Sequence, residues 1–298
     1  MSGVGASPAA SAASAASAAS APTDTLRETW RAALGSRTLL TGSLVLLFWV
    51  TCALLGRHLT PFDPYADDLL STLAPPSAIH WFGTDQLGRD ILSRVIVGAR
   101  DILVIAPLAT LLGTVLGTLL GLTIGYYRGL LDEVVGRLIE ALQALPLVVV
   151  ALMALAAVGT SNLSVVCVIG FVFTPIIART VRAATLNEVE LDYVAAARLR
   201  GDGALTVMFV EILPNVLPVA VVEMTVRLGY AIFFVASLSF IGFGIQPPSA
   251  DWGIAIAENY SLIGSYWWTV LFDAGATASL ILGVNLVADG LGGILEQR

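Results

Sequence analysis

An all-α, polytopic membrane protein with six crossings is what this sequence predicts, and three observations carry that reading. The 298 residues are 57% hydrophobic and only 12% charged, with a mean hydropathy of +0.85, well outside the composition of soluble domains. Apolar stretches long enough to cross a bilayer, which takes roughly 20 residues, run at 38–56, 102–126, 134–158, 163–181, 215–242 and 267–291. The arginines outside these stretches are also unevenly shared. With the N-terminus inside the cell, the outer side receives only Arg57, Arg89, Arg94 and Arg100. The asymmetry favours both termini in the cytoplasm.

Taken in order, residues 1–23 form an Ala/Ser repeat without an apolar or basic signal-peptide region. They read as a disordered tail, because Ala and Ser bury too little surface to offset chain entropy. Residues 24–37 can form a short amphipathic surface helix or a solvated lead-in. About 45 residues separate the first span from the second, and a loop of that length in a compact domain usually has a function. In that outer loop Asp85, Arg89 and Asp90 lie within reach of one another and are expected to stabilise it by ion pairing; docking of an extracytoplasmic protein is the sharper alternative.

Gly113, Gly117, Gly121 and Gly125 recur at every fourth position of the second span, a small-residue ridge for close helix packing. Pro146 and Pro175 interrupt spans three and four, and the "GTSN" between these spans predicts a tight hairpin. The "QPPSADWG" stretch reads as a proline-rigidified outer turn, with Trp252 at the membrane interface. Cys52 and Cys167 sit in apolar runs as small hydrophobes, and His58 and His80 are isolated. No metal site is expected.

Charges inside the spans are few. Glu223 and Arg227 are i and i+4 on one helix face and can neutralise each other, either lining a translocation path or fixing helix packing. Asp273 lies within two turns of the outer end of span six and could meet a substrate amine or interfacial water. Glu140 is expected to pair with Arg137. Ionised groups at bilayer depth cost on the order of 2.5–3.5 kcal/mol each, so these side chains should face other helices or water.

Residues 193–218, "YVAAARLRGDGALTVMFVEILPNVLP", break the apolar pattern between spans four and five. Gly201 suits a helix C-terminus and Asp202 can cap a following helix, predicting helix, turn and helix. Leu205, Met208, Phe209 and Ile212 then form one apolar stripe. The opposite side is also short of polar residues, so the helix expects a second neighbour. An interfacial helix on the lipid headgroups is the alternative. Arg198 and Arg200 cluster at the turn, which suits a knob inserted into a protein cleft.

The stretch "AAARLRG" followed by "ILPNVLP" resembles the EAA loop of permease subunits of binding-protein-dependent ABC importers. Ala196, Ala197, Gly201 and Pro214 match that pattern, and Ala195 stands where the family usually has Glu. Two further blocks, "FGTDQLGRDILSRVIVGAR" at 82–100 and "SLSFIGFGIQPPSADWG" at 237–253, resemble the C-type permeases of the dipeptide and oligopeptide branch. The resemblance implies a type I importer permease fold: a tail and lead-in at 1–36, the first helix and long loop at 37–100, and a five-helix core at 101–298 with a coupling loop at 191–213. It implies ATPase contact through Ala195, Ala196, Ala197, Arg198, Arg200, Gly201, Asp202, Leu205, Met208 and Phe209. The implied partners are a second, B-type permease subunit, cytoplasmic ABC ATPases, an extracytoplasmic peptide-binding protein and membrane lipid, with no nucleic acid. ATP and Mg would be bound by the ATPases, since this chain contains no Gly-x-x-x-x-Gly-Lys-Ser/Thr loop; no catalytic residue and no cofactor of its own are expected.

Other classes compete. An ion-coupled secondary transporter would use intramembrane carboxylates such as Glu223 and Asp273, but leaves the charged insertion without a purpose. An intramembrane hydrolase needs an activated nucleophile or two facing carboxylates. Within the resembling family, haem or a nickel chelate is an alternative cargo to peptides.

Overall fold

The computed structural model describes residues 36–295; the Ala/Ser tail and nearly all of the expected amphipathic lead-in lie outside those residues. Nine helices are described: α1 (Arg37–Leu59), α2 (Ile91–Tyr127), α3 (Gly129–Gln143), α4 (Leu147–Val158), α5 (Asn162–Glu188), α6 (Asp192–Leu199), α7 (Ala204–Ile241), α8 (Trp252–Asn259) and α9 (Trp268–Leu295). There is no β-strand among the described residues, where β-type pairing is limited to one isolated bridge between Thr84 and Asp90. A bilayer leaves exposed backbone groups without partners, and helices satisfy theirs internally.

Five helices are long and apolar enough to cross a membrane, and the bent pair α3 and α4 supplies a sixth. The third crossing, expected over 134–158 with an interruption at Pro146, is broken there. It turns by 93° between α3 and α4, where Pro146 occupies the N-cap position of α4 and cannot donate a backbone hydrogen bond. Pro175, by contrast, lies inside an unbroken α5. The "GTSN" hairpin forms: Gly159 has φ +92°, and the Ser161 hydroxyl accepts from the Ser164 N–H to cap α5.

Two crossings overshoot the bilayer. At about 1.5 Å per residue, the 37 residues of α2 and the 38 of α7 exceed a hydrocarbon core of about 30 Å. The surplus of α2 is its charged N-terminal end on the long-loop side; that of α7 is its N-terminal end on the opposite side.

The ridge of Gly113, Gly117, Gly121 and Gly125 is buried and packs against α5, making α2 and α5 the most extensive helix pair in the chain. A Cβ on Gly117 would stand 2.7 Å from the Ile177 Cβ, and one on Gly121 would stand 2.5 Å from the Ala178 carbonyl oxygen. Phe173 of α5 reaches Phe234 of α7 at a ring-centroid separation of 6.0 Å, joining the third long helix to this seam. α1 lies on the outside against α9 and α2, with Leu44, Leu47, Phe48 and Leu54 exposed, as a lipid-facing helix requires.

The seam gives a paired prediction. Gly121→Ala should lower the unfolding midpoint of the detergent-purified protein by the equivalent of about 1–3 kcal/mol, the usual overpacking range. Gly136→Ala in α3, where an added Cβ meets nothing within 4 Å, should leave the midpoint unchanged or raise it slightly. Thermal melts of the two variants side by side check this.

Candidate functional site

The interruption between α5 and α7 is built from a helix end and a clamp. Arg200 takes the C-cap of α6 and Gly201 follows with φ +87°. The Gly201 N–H donates to the Arg198 carbonyl at 3.0 Å and the Asp202 N–H to the Ala197 carbonyl at 3.2 Å. This pair of bonds is the Schellman arrangement, which needs a left-handed residue where Gly201 stands. Asp202 does not cap the next helix; Gly203 holds that position without a side-chain bond. Asp202 instead pairs with Arg200, whose Nη2 lies 2.8 Å from both Asp202 Oδ2 and Glu211 Oε1. One guanidinium thus ties α6 and the turn to α7.

The helix after the turn does not end before the fifth crossing. It continues into it, through a π-helical turn at Val207–Ile212, as a single unit from Ala204 to Ile241. Bonding from i to i+5 adds a residue to the turn, and the expected stripe splits. Val207, Met208 and Ile212 are buried, while Leu205 and Phe209 are 66% and 42% exposed. In α6, Val194 and Ala197 face inward; Ala195, Ala196 and Arg198 face out, with the Arg198 guanidinium 5.0 Å from the centre of the Tyr126 ring. Leu199, Leu205, Phe209 and Val210 leave an exposed apolar cap over the turn.

At the other end of the molecule, the long loop folds onto α2, α8 and α9 around buried charges. Asp85 Oδ1 accepts from the Leu87 and Arg89 N–H groups at 2.9 Å, and Oδ2 lies 2.6 Å from Arg89 Nε. Arg89 reaches on to Glu258 at 2.7 Å. Asp90 turns away from Arg89 to pair with His80 at 2.9 Å and to cap α2 through the Ser93 N–H at 2.8 Å. Arg94 is buried and only approaches Asp85 and Glu258, at 3.8 and 3.9 Å.

Asp273 belongs to this cluster. It is 2% exposed, and the charged groups around it are Arg94, Asp251, Asp85 and Glu258. Its Oδ1 and the Arg94 Nη2 both lack hydrogen bonds among the described residues. Trp252 lies within the core instead of at the interface: it is fully buried, stacks edge-on against Trp49 at 4.8 Å, and its indole N–H donates to the Val95 carbonyl at 3.0 Å. Burial lets this aromatic fix the outer turn to α2 while its polar edge stays satisfied.

Glu223 and Arg227 form the i,i+4 pair, Nη2 to Oε1 at 2.6 Å, with the guanidinium 5.4 Å from the centre of the Tyr230 ring. They share a face of α7 with Tyr230, and Tyr230 in turn lines a groove with Asn285 and Asp289 of α9. Sequence spacing joined the first two but gave no signal that α9 would bring Asn285 alongside. Glu140 does not take Arg137, which approaches Glu133 at 4.0 Å; Glu140 lines a cleft with Arg179 and Arg182, and Arg182 Nη2 bonds Asp132 at 2.6 Å.

Residues 117–298 match the family described as "Binding-protein-dependent transport system inner membrane component". The chain belongs to that family. This permease is 35% identical over 279 residues to the di/tripeptide transport system permease protein DppC of Pseudomonas aeruginosa, covering 92% of each chain. It is 35% identical over 283 residues to the dipeptide transport system permease protein DppC of Escherichia coli, covering 93% of this chain and 94% of that one. Against the dipeptide permease DppC of Bacillus subtilis it is 34% identical over 276 residues, covering 91% and 85%. Family membership and the apolar helices together make it a multi-pass component of the cell membrane.

In the outer cluster of the permease, burial pushes the Asp251 carboxyl up from 3.8 to about 6, with the Asp101 charge adding to the effect against hydrogen bonds that oppose it. The folded state therefore holds this proton more tightly than the unfolded chain. Stability from the group is full below about pH 4 and is lost as the pH rises through about 6. Asp251→Asn keeps a capping side chain and cannot ionise. It should melt higher than the native protein at pH 8, by up to about 3 kcal/mol equivalent, with the difference closing by pH 4. Melting curves across that range are the check.

Proposed function

We propose that this permease forms one half of the path by which di- and oligopeptides enter the cell, and that it is driven by ATPase subunits docked on the segment at 191–213. The observation that carries the coupling role is the continuity of α7. Leu205, Phe209 and Val210, three of the four residues of the exposed cap, sit at one end of the same 38-residue helix that holds Glu223 and Arg227. Because the helix runs unbroken between them, through the wide turn at Val207–Ile212 and past Pro214 and Pro218, a displacement of the cap is passed to the membrane core along one element.

Peptides as cargo are supported by the relatives, which are permeases for dipeptides and tripeptides across nearly their whole length. In this reading a second, related permease supplies the other half of the path, and an extracytoplasmic binding protein delivers the peptide on the long-loop side. ATP and Mg are held by the partner ATPases, and this chain performs no chemistry of its own. The positive-inside asymmetry supports placing the α6 turn in the cytoplasm, where nucleotide is available. When the nucleotide sites close, the ATPase surfaces carry the α6–turn–α7 unit with them and the crossings rock between inward- and outward-facing states, which is alternating access. The face bearing Glu223 and Arg227 is the proposed path. Asp273, buried in the cluster with Arg94, leaves the path to other residues. An ion-coupled transporter is the weaker reading, because Glu223 is paired with Arg227 on its own helix and Asp273 is enclosed in a separate part of the molecule.

Gly201→Val tests the lever. No neighbour lies within 4 Å of an added Cβ, so its cost comes from the backbone, about 1–2 kcal/mol for a left-handed residue with a side chain. The variant should insert and assemble normally and retain ATP hydrolysis, while peptide uptake per ATP falls at least tenfold in reconstituted vesicles. Coupled transport at the native ratio would overturn the lever.

A further inference from the structure

The face shared by α7 and α9 is exposed, yet it has the wrong chemistry for lipid. It encloses a groove of about 490 Å³ lined by Val226, Gly229, Tyr230, Phe233, Ile281, Asn285, Ala288 and Asp289, a size within the range of small-molecule sites. Asn285 and Asp289 are both exposed, one turn apart on α9. Tyr230 and Phe233, each 59% exposed, form the opposing aromatic wall on α7. Asp289 lies about two turns from the C-terminal end of α9, beside a polar amide and a phenol on an open face, and since a carboxylate turned to hydrocarbon is costly, these groups are expected to meet something polar.

The groove is also shaped around the amide. A Cβ at Gly229 would stand 2.4 Å from Asn285 Oδ1, so glycine there lets the Asn285 amide lie against α7 in the groove that it lines. Charge identifies the guest. Arg227 is already matched by Glu223 at 2.6 Å, and Asp289 is the one charged side chain lining the groove among the described residues. A carboxylate next to an aromatic face selects a cation, and the neighbouring amide can both donate to and accept from a peptide bond.

We propose that Asp289, Asn285 and Tyr230 form a subsite for the primary ammonium terminus of the transported peptide and its first peptide bond. This rests on the peptide-import reading above and adds to it the residues that select for a free amino terminus. A phosphatidylethanolamine headgroup carries the same ammonium, and the test separates the two sources.

The complete assembly, with its second permease, ATPases and binding protein, is reconstituted in phosphatidylethanolamine/phosphatidylglycerol vesicles and given alanyl-photoleucine, with photoreactive phosphatidylethanolamine in a parallel sample. Irradiation during turnover should place the peptide label within 226–233 and 281–289. Asp289→Asn should raise the peptide concentration for half-maximal uptake at least fivefold with little change in maximal rate, and Asp289→Glu should restore it. Uptake with the label elsewhere, lipid label alone in the groove, or an unchanged half-maximal concentration in Asp289→Asn overturns the subsite and leaves peptide import standing. A native assembly that takes up no peptide at all overturns peptide import and the subsite together.

Discussion

The close approach of α2 and α5 sets the positions of everything else in the chain. Hydrocarbon supplies no hydrophobic force to hold two helices together, so their association depends on how nearly their backbones can meet. Gly113, Gly117, Gly121 and Gly125 give α2 a flat side, and the carbonyls and β-carbons of α5 fill it at distances where no further atom fits. The outer end of α2 carries the buried charges that fold the long loop. The far end of α5 runs directly into the α6 turn. Fixing one helix against the other therefore relates the two functional ends of the permease, although they lie on opposite sides of the membrane.

Those ends are organised by different physics. The outer end buries charge: Asp85 is satisfied by two backbone N–H groups and Arg89, whereas Arg94 and Asp273 each retain an atom without a hydrogen bond. Buried charges of this kind are weak evidence of stability; here the bonded set Asp85, Arg89 and Glu258 joins the loop to α8. The inner end exposes apolar surface instead. Arg200 clamps the turn at the protein surface, where each ion pair is worth little by itself, but the Schellman bonds and the continuity of α7 give it a fixed shape. A rigid presentation of Leu205 and Phe209 limits the ordering cost of binding a partner.

Much of this was legible in the sequence because it is local. Apolar runs located every crossing, the four-residue glycine period named the packing ridge, the i,i+4 spacing paired Glu223 with Arg227, and the glycine after a short amphipathic stretch marked the α6 turn. What was missed depends on partners distant in sequence or on small departures from helical period. Pro146 and Pro175 look alike in the sequence, but only the first coincides with a bend. The stripe Leu205–Met208–Phe209–Ile212 assumes a regular helix, which the wide turn at Val207–Ile212 does not provide. Trp252 was expected at the membrane interface because its partners, Trp49 and the Val95 carbonyl, come from other helices. The companionship of Gly229 and Asn285 likewise exists only once α7 and α9 lie side by side.

The wide turn in α7 has a consequence for how such a chain can vary. Removing one residue from an ordinary helix shortens it and rotates everything beyond by about 100°, whereas a π turn already stores the extra residue. Loss of a single residue between 207 and 212 would return the segment to regular winding with little rotation of the α6 end about the axis of α7. The wide turn thus acts as local slack in the helix, taking up one residue while the exposed cap and the membrane half keep their directions.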